Sequence, residues 1–382
     1  MPTSDTLAET GAAAIAPPAQ ADAEPFEHAT GLRACGASLG LPALGGRVLD
    51  ARLERIQDSP HFDGKRFKNV IPTPQVPKNI GGVAWEFVAG KQEREPKEPL
   101  PLHKPTRGQL APGQGEPLRL TWLGHSTTLI EIDGLLVLTD PVLGPRAAPL
   151  TWMGPKRFHE APVLPSELPD LDVIILSHDH YDHLDYWTVQ RMLDRKVTWV
   201  TSLGCGAHLE AFGVPADQIR ELGWWEETEV NGLRIVATPA RHFQGRGPSA
   251  AAQTFWSSWV IEGPTQKVFF SGDSGPHDEG FAEIGERFGG FDLTMVEIGA
   301  WHAAWGNIHM GPDNALRTHQ LLRGKTFMPV HWGTFNLALH AWDEPIRRAI
   351  EIADKEGIQM LSPTLGKTVH RESGIDPFWR GR

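Results

Sequence analysis

Cysteine is scarce in this chain. The 382 residues hold two, Cys35 and Cys205, far apart and in no C-x-x-C pattern. A disulfide framework is therefore not expected, and a reducing compartment is the default, which sets the cytoplasm as the expected location. Basic charge is also in short supply. Lys and Arg number 36 against 47 Asp and Glu, for a formal net charge of −11. That balance argues against a partner bound through a nucleic-acid backbone, which calls for a basic footprint. No run of about 18 apolar residues is present, which excludes a spanning helix. The N-terminus lacks the basic start and continuous apolar stretch of a secretory signal, and no basic amphipathic anchor stands out.

What remains is the composition of an ordinary soluble globular protein, 40% hydrophobic and 22% charged. The length allows a large core in one or two domains. Tryptophan is plentiful at 14. Core packing accounts for most of them, and a few could line an apolar substrate groove.

The densest chemistry lies in Ser177-His178-Asp179-His180-Tyr181-Asp182-His183, directly after the apolar run Val173-Ile174-Ile175-Leu176. That run reads as a short buried strand. The histidines thus fall on the loop leaving its C-terminal end, where a rigid strand aims a mobile loop. Imidazole is the commonest zinc ligand and carboxylate completes such sites. His178 and His180, two apart, can point to one side of an extended loop. Asp182 and His183 can address a second point nearby. The pattern predicts two adjacent metal positions, which would also supply local positive charge for a phosphorylated substrate.

Taken in order, residues 6–23 read as a disordered Ala- and Pro-rich tail, and residues 1–58 as that tail plus a short helix near 47–56. Residues 59–117, broken by prolines, read as an extended arm on the core, anchored by Phe62, Phe67 and Trp85. Residues 118–382 read as the catalytic domain. Strands are predicted at 118–123, 127–132, 135–139, 173–176, 197–202, 254–262, 267–270, 293–298 and 326–330. A hairpin turns about Asn231-Gly232 within 229–238. Helices are predicted at 184–193, 205–212, 312–322 and 343–355. Four strands end on His or Asp: His178, His242, Asp273 and His331. This order fits two mixed sheets with helices outside and a site along a shared edge.

These features, from about 118 to 369, resemble the metallo-β-lactamase superfamily of metal-dependent hydrolases. A closer resemblance is to its N-acyl phosphatidylethanolamine-hydrolysing phospholipase D branch. It is carried by Thr121-Trp122-Leu123-Gly124-His125-Ser126-Thr127, Leu138-Thr139-Asp140-Pro141, Gly154-Pro155-Lys156-Arg157-Phe158, Thr238-Pro239-Ala240-Arg241-His242-Phe243 and His331-Trp332-Gly333-Thr334-Phe335. The resemblance implies an α/β (α+β) fold, the four-layer αββα sandwich, with two zinc ions. His178, His180 and His242 would hold one zinc, and Asp182, His183 and His331 the other, with Asp273 bridging. His180 stands where di-iron relatives carry Glu, which favours zinc hydrolysis. Mn2+ or Fe2+ occupancy stays open.

The chemistry so implied is attack by a metal-bridging hydroxide on a phosphodiester or an acyl carbon. Asp182 would also orient the nucleophile. His309, in Asn307-Ile308-His309-Met310-Gly311-Pro312-Asp313, would polarise the substrate or donate a proton, a helix-start hydrogen bond being the structural alternative. His125 and Asp140 would support and orient the ligands, or simply pack. His302, His319 and His340 are read as structural. A lipid-like or small phosphodiester is the favoured substrate, helped by Trp301, Trp305 and Trp332 near the site loops. A lactone, ester, amide or β-lactam is the runner-up, and a metal-binding protein without turnover the third reading. Peripheral membrane contact and a homodimer remain open as partners.

Overall fold

The computed structural model describes residues 42–73, 80–113, 115–150, 152–246 and 253–380. Cys35 and the expected disordered tail lie outside them. Two mixed sheets form the centre. The first holds β1 (Leu118–Gly124), β2 (Thr127–Ile132), β3 (Leu135–Thr139), β4 (Val173–Leu176), β5 (Thr198–Ser202), β6 (Ile219–Leu222) and β13 (Thr368–His370), in the order β13-β1-β2-β3-β4-β5-β6. The second holds β7 (Glu227–Val230), β8 (Leu233–Thr238), β9 (Ser258–Glu262), β10 (Lys267–Phe270), β11 (Phe291–Glu297) and β12 (Gly324–Val330), in the order β12-β11-β10-β9-β8-β7. In each sheet antiparallel strands come first. β3 to β6 and β10 to β12 then run parallel.

Period-two alternation explains the layering. Ile130, Val137, Ile175 and Val200 face the second sheet and share one core cluster with its Ile235, Trp259, Ile261 and Val268. Their neighbours Leu129, Leu138, Ile174 and Trp199 face outward to α4 (Tyr186–Gln190) and α5 (Gly206–Ala211). The second sheet is covered by α6 (Asp278–Phe288), α7 (Gly311–Leu321) and α8 (Glu344–Glu356), whose Phe281, Ile284, Leu316, Ile346 and Ala349 join the core. The fold is the αββα sandwich.

Before the sheets come α1 (Asp50–Gln57), α2 (Ile80–Ala89) and α3 (Arg107–Leu110). The arm is therefore not extended throughout. The α2 stretch is Ile-Gly-Gly-Val-Ala-Trp-Glu-Phe-Val-Ala, and its two glycines and lack of a polar face hid the helical period. Phe67 is buried against Phe255 with ring centroids 4.3 Å apart, and Phe62 packs on Phe67. Trp85 is 72% exposed and is therefore not a buried anchor.

Other differences have local causes. The helix expected at 184–193 is five residues long, and it starts later because Asp185 caps it, accepting from Trp187 N and Thr188 N. Residues 254–257 precede β9 rather than belonging to it. Strand β6 and helix α6 went unread. Ile-Arg-Glu-Leu has no alternation to detect, and Gly280 and Gly285 interrupt the apolar face of α6. Gly285 is required by packing, since a Cβ there would lie 2.2 Å from Leu321 O.

Candidate metal centre

The parallel strands deliver their ends to one edge, and the site is built there. Residues Ser177 to His183 leave β4, His242 follows β8, Asp273 follows β10, Glu297 ends β11 and His331 follows β12. His125 sits in the turn between β1 and β2. Because β3 and β4 pair in parallel, Asp140 stands beside Ser177. Its Oδ1 accepts from Ser177 N at 2.7 Å, and its Oδ2 accepts from Ser177 Oγ at 2.6 Å. The loop after β10 comes very close. Gly272, at φ +53°, would place a Cβ 2.4 Å from Ser177 Cβ. His125 (φ 54°) and His331 (φ 63°) are non-glycine residues in left-handed backbone, strain that the surrounding fold must hold. They hold each other: His331 N donates to His125 O at 3.1 Å.

All seven residues expected as metal ligands converge, in two groups. In the first, His178 Nε2 lies 2.9 Å from His180 Nδ1, and His242 Nε2 lies 3.2 Å from that same atom. Asp273 Oδ2 faces this group, 3.8 Å from His178 Nε2 and 3.6 Å from His242 Nε2. In the second, Asp273 Oδ1 lies 3.2 Å from both His183 Nε2 and His331 Nε2. Asp182 Oδ2 is 3.6 Å from His183 Nε2 and 3.3 Å from His331 Nε2. One carboxylate thus offers one oxygen to each group.

The outer nitrogens are spent elsewhere. His183 Nδ1 donates to Asp140 Oδ2 at 2.6 Å, and His242 Nδ1 to Ile308 O at 3.0 Å. Ser177 Oγ gives its proton to Asp140, so it accepts from His178 Nδ1 at 2.9 Å. Each bond commits the outer Nδ1 and leaves Nε2 turned inward, as metal-binding imidazoles require.

The two halves differ in charge. Burial pushes His178 and His242 well below their ordinary values, leaving neutral imidazoles. In the second half burial acts the same way, but Asp273, Asp182 and the other nearby carboxylates outweigh it. They hold His331 up to about 10 and His183 well above its usual value. Asp182 and Asp273 stay well below the carboxylate range, because their histidine neighbours overcome burial. This half calls for positive charge, and a divalent cation answers that call. Consistent with this, His183 Nε2, His331 Nε2 and Asp273 Oδ1 are buried with no hydrogen-bond partner among the described residues. Imidazole nitrogens with carboxylate oxygens suit a zinc-class ion.

Two residues take places the sequence did not assign. His125, expected only as a support, groups with Asp182, His183 and His331, all ligand atoms lying within 4.8 Å. Its Nε2 is 3.1 Å from Asp182 Oδ2, and burial holds it down to about 3, so it is neutral. Glu297 groups with Asp273, His309 and His331 and was not singled out at all. Its signal was available: one charge in the otherwise apolar run Met295-Val296-Glu297-Ile298, at a strand end. His309 meets it, Nδ1 to Oε2, at 2.7 Å.

The tryptophan expectation is corrected for Trp332 alone. Trp332 is buried, stacked on Trp122 at 5.2 Å between ring centroids, and is a core residue. Trp301 stacks on His340 at 4.2 Å, and Trp305 meets His302 edge-on. His302, His319 and His340 bond to Ala304 N, Thr294 and Ala341 O, as structural groups do.

Comparison with known proteins agrees with this geometry. The model of the Beta-lactamase superfamily domain matches residues 136–332. An uncharacterized protein of Mycobacterium tuberculosis is 39% identical over 333 residues, covering 85% of this chain and 88% of its own. The N-acyl-phosphatidylethanolamine-hydrolyzing phospholipase D 1 of Caenorhabditis elegans is 38% identical over 247 residues, covering 62% of this chain and 69% of its own. Among solved structures, the isothiocyanate hydrolase from Delia radicum gut bacteria shares the fold. Its TM-score is 0.53 at 23% identity, over 66% of this chain and 98% of that one. Sequence, fold and a twinned histidine–aspartate site lead to one conclusion: the chain belongs to the metallo-β-lactamase superfamily of metal-dependent hydrolases, close to the branch of N-acyl phosphatidylethanolamine-hydrolysing phospholipases D.

Proposed function

We propose that this protein is a dinuclear zinc phosphodiesterase acting on a lipid-like substrate. The observation that carries the reading is Asp273, whose two oxygens face two separate imidazole groups. His178, His180 and His242 would hold one zinc, and Asp182, His183 and His331 the other, with Asp273 shared. When bound, such a pair supplies Lewis acidity and lowers the pKa of a water toward about 7.

The remaining roles fall to the chain's own groups. Asp182 faces His125 and His331 through Oδ2 and orients the attacking water. His309 stands between the halves, its ring centroid 5.2 Å from that of His242 and 5.3 Å from that of His331, and donates a proton to the leaving oxygen. Asp140 and His125 steady the ligands. Support for a lipid phosphodiester comes from the relatives named as N-acyl-phosphatidylethanolamine-hydrolyzing phospholipases D, in Caenorhabditis elegans and Saccharomyces cerevisiae. Peripheral contact with a lipid surface belongs to the same reading and is supported by the exposed apolar side chains of Trp85, Trp152 and Met153. No helix among the described residues is long and apolar enough to cross a membrane. A cytoplasmic location and a homodimer complete the proposal, and the net charge of −11 disfavours nucleic acid as substrate.

Metal analysis of the purified protein, followed by a substrate panel, tests this. Two zinc ions per chain and turnover of bis(4-nitrophenyl) phosphate above that of lactones and β-lactams are expected. Turnover confined to lactones or β-lactams would move the assignment to acyl chemistry, and metal without any turnover would remove catalysis.

A further inference from the structure

Glu297 is buried at the end of β11. A buried carboxylate is costly unless its oxygens are occupied. Here both are. Oε1 accepts from Ser274 N at 2.8 Å and from Met310 N at 3.3 Å. Oε2 accepts from His309 Nδ1 at 2.7 Å. His331 Nδ1 lies farther off, at 3.9 Å. Although Glu297 shares a group with Asp273 and His331, these bonds make it an acceptor of N–H groups rather than one more cation ligand.

The placement is also informative. The two backbone donors come from the residue after Asp273 and the residue after His309. One carboxylate thus ties the loop of the shared aspartate to the loop of the proposed proton donor. The His309 side chain keeps 13% of its surface exposed, while that of Glu297 keeps none. With Nδ1 committed inward, Nε2 is the edge of the ring left to face the reaction space.

We propose that Glu297 is a positioning residue, whose Oε2 holds the Nδ1–H and the ring orientation of His309 so that Nε2 addresses the leaving oxygen of the substrate. The identity of that leaving oxygen rests on the phosphodiesterase reading above; the positioning itself rests on the hydrogen bonds. In the step served, a water oxygen bonds to phosphorus while the bond from phosphorus to the leaving oxygen breaks. That oxygen takes the Nε2 proton of the His309 imidazolium, leaving the Nδ1–H ring held by Glu297, and the proton given up by water returns to His309 Nε2 through solvent.

The test uses the metal-loaded full chain and the near-isosteric Glu297→Gln, which turns an amide N–H toward Nδ1. Nitrogen-15 NMR of the imidazoles, with the His309 signals identified by their loss in His309→Gln, is expected to show Nδ1 protonated in the wild type. In Glu297→Gln, Nδ1 is expected to lose its proton, leaving a neutral ring that is a much weaker acid than the imidazolium. With a glycerophospholipid, whose leaving group is an alkoxide, kcat is expected to fall about 100-fold, within the usual range for a lost general acid. With bis(4-nitrophenyl) phosphate, whose phenolate leaves unaided, the fall is expected to be at least about tenfold smaller. The double variant Glu297→Gln/His309→Gln should be no slower than His309→Gln alone, as groups acting as a unit behave. A wild-type His309 without a proton on Nδ1, equal losses on both substrates, or additive losses in the double variant would each overturn the proposal. Wild-type turnover of neither diester would remove the phosphodiesterase reading, and the imidazole spectra would then decide the positioning claim by themselves.

Discussion

Asp140 shows how much one carboxylate can arrange from outside the reaction space. It accepts from Ser177 twice and from His183 once, all within 2.7 Å. Asp140→Asn keeps the shape but turns an amide N–H toward His183 Nδ1. That forces the opposite tautomer and places a proton on the Nε2 meant to stay bare. Metal affinity at the second position is expected to fall about 10- to 100-fold, read by competition with a chromophoric chelator; unchanged affinity would contradict the role. A different histidine predicts a pH effect on the fold alone. Burial beside Thr294 holds His319 down to about 4, so the folded chain keeps it neutral while the unfolded chain protonates it near 6.5. Its contribution is whole above pH 6.5 and is lost as pH falls from there toward 4, by at most about 3 kcal/mol. Denaturant midpoints of His319→Gln should therefore decline less than those of the wild type over that window; parallel declines would contradict this. The seven clustered residues were legible because each follows an apolar strand, a signal that survives without coordinates. Glu297 escaped because only histidines and aspartates at strand ends were weighed. The extra standing of His125 depends on a left-handed turn that no local pattern announces.

The loop 178–184 does not hold its shape unaided. Arg246, fully buried, donates to Asp179 O at 2.9 Å, Leu184 O at 2.7 Å and Ala43 O at 3.0 Å, with its guanidinium 4.3 Å from the Tyr181 ring centroid. It clamps the metal loop to the segment before α1. Arg246→Met would leave three buried carbonyls without that donor, a loss on the order of 3 kcal/mol in unfolding free energy by urea titration. A change below about 0.5 kcal/mol would show that the clamp is dispensable. Helix α8 was readable because burial on one face writes itself into spacing, and β4 because burial on both faces leaves a continuous apolar run. The elements that escaped had that spacing masked. Gly280 and Gly285 thin the apolar pattern of α6, Gly285 so that the helix can lie close to α7, and the Ile-Arg-Glu-Leu of β6 shows no alternation. Tertiary proximity decides these elements, and a single sequence does not carry it.

Across the molecule, the edge shared by the two sheets is where like charges gather. Asp182 and Asp273 come from opposite sheets, and each is stabilised by histidines from both. Cations there would bind the sheets to each other, so metal and fold stability should be linked. At zinc about 100-fold above its dissociation constant the folded state gains about 2.7 kcal/mol. The melting temperature should drop on chelation and recover with zinc, and indifference to both would contradict the linkage. The pairing of the two halves was foreseeable from the repeated order of a strand followed by His or Asp, whereas a place for Asp273 between them rested on family resemblance, and the distances set one of its oxygens against each group. The most direct test is anomalous diffraction at the zinc edge from crystals of the full chain. Two peaks about 3.5–4 Å apart are expected, one beside His178, His180 and His242, the other beside Asp182, His183 and His331, with Asp273 touching both. A single peak, or a pair that Asp273 does not bridge, would contradict the account.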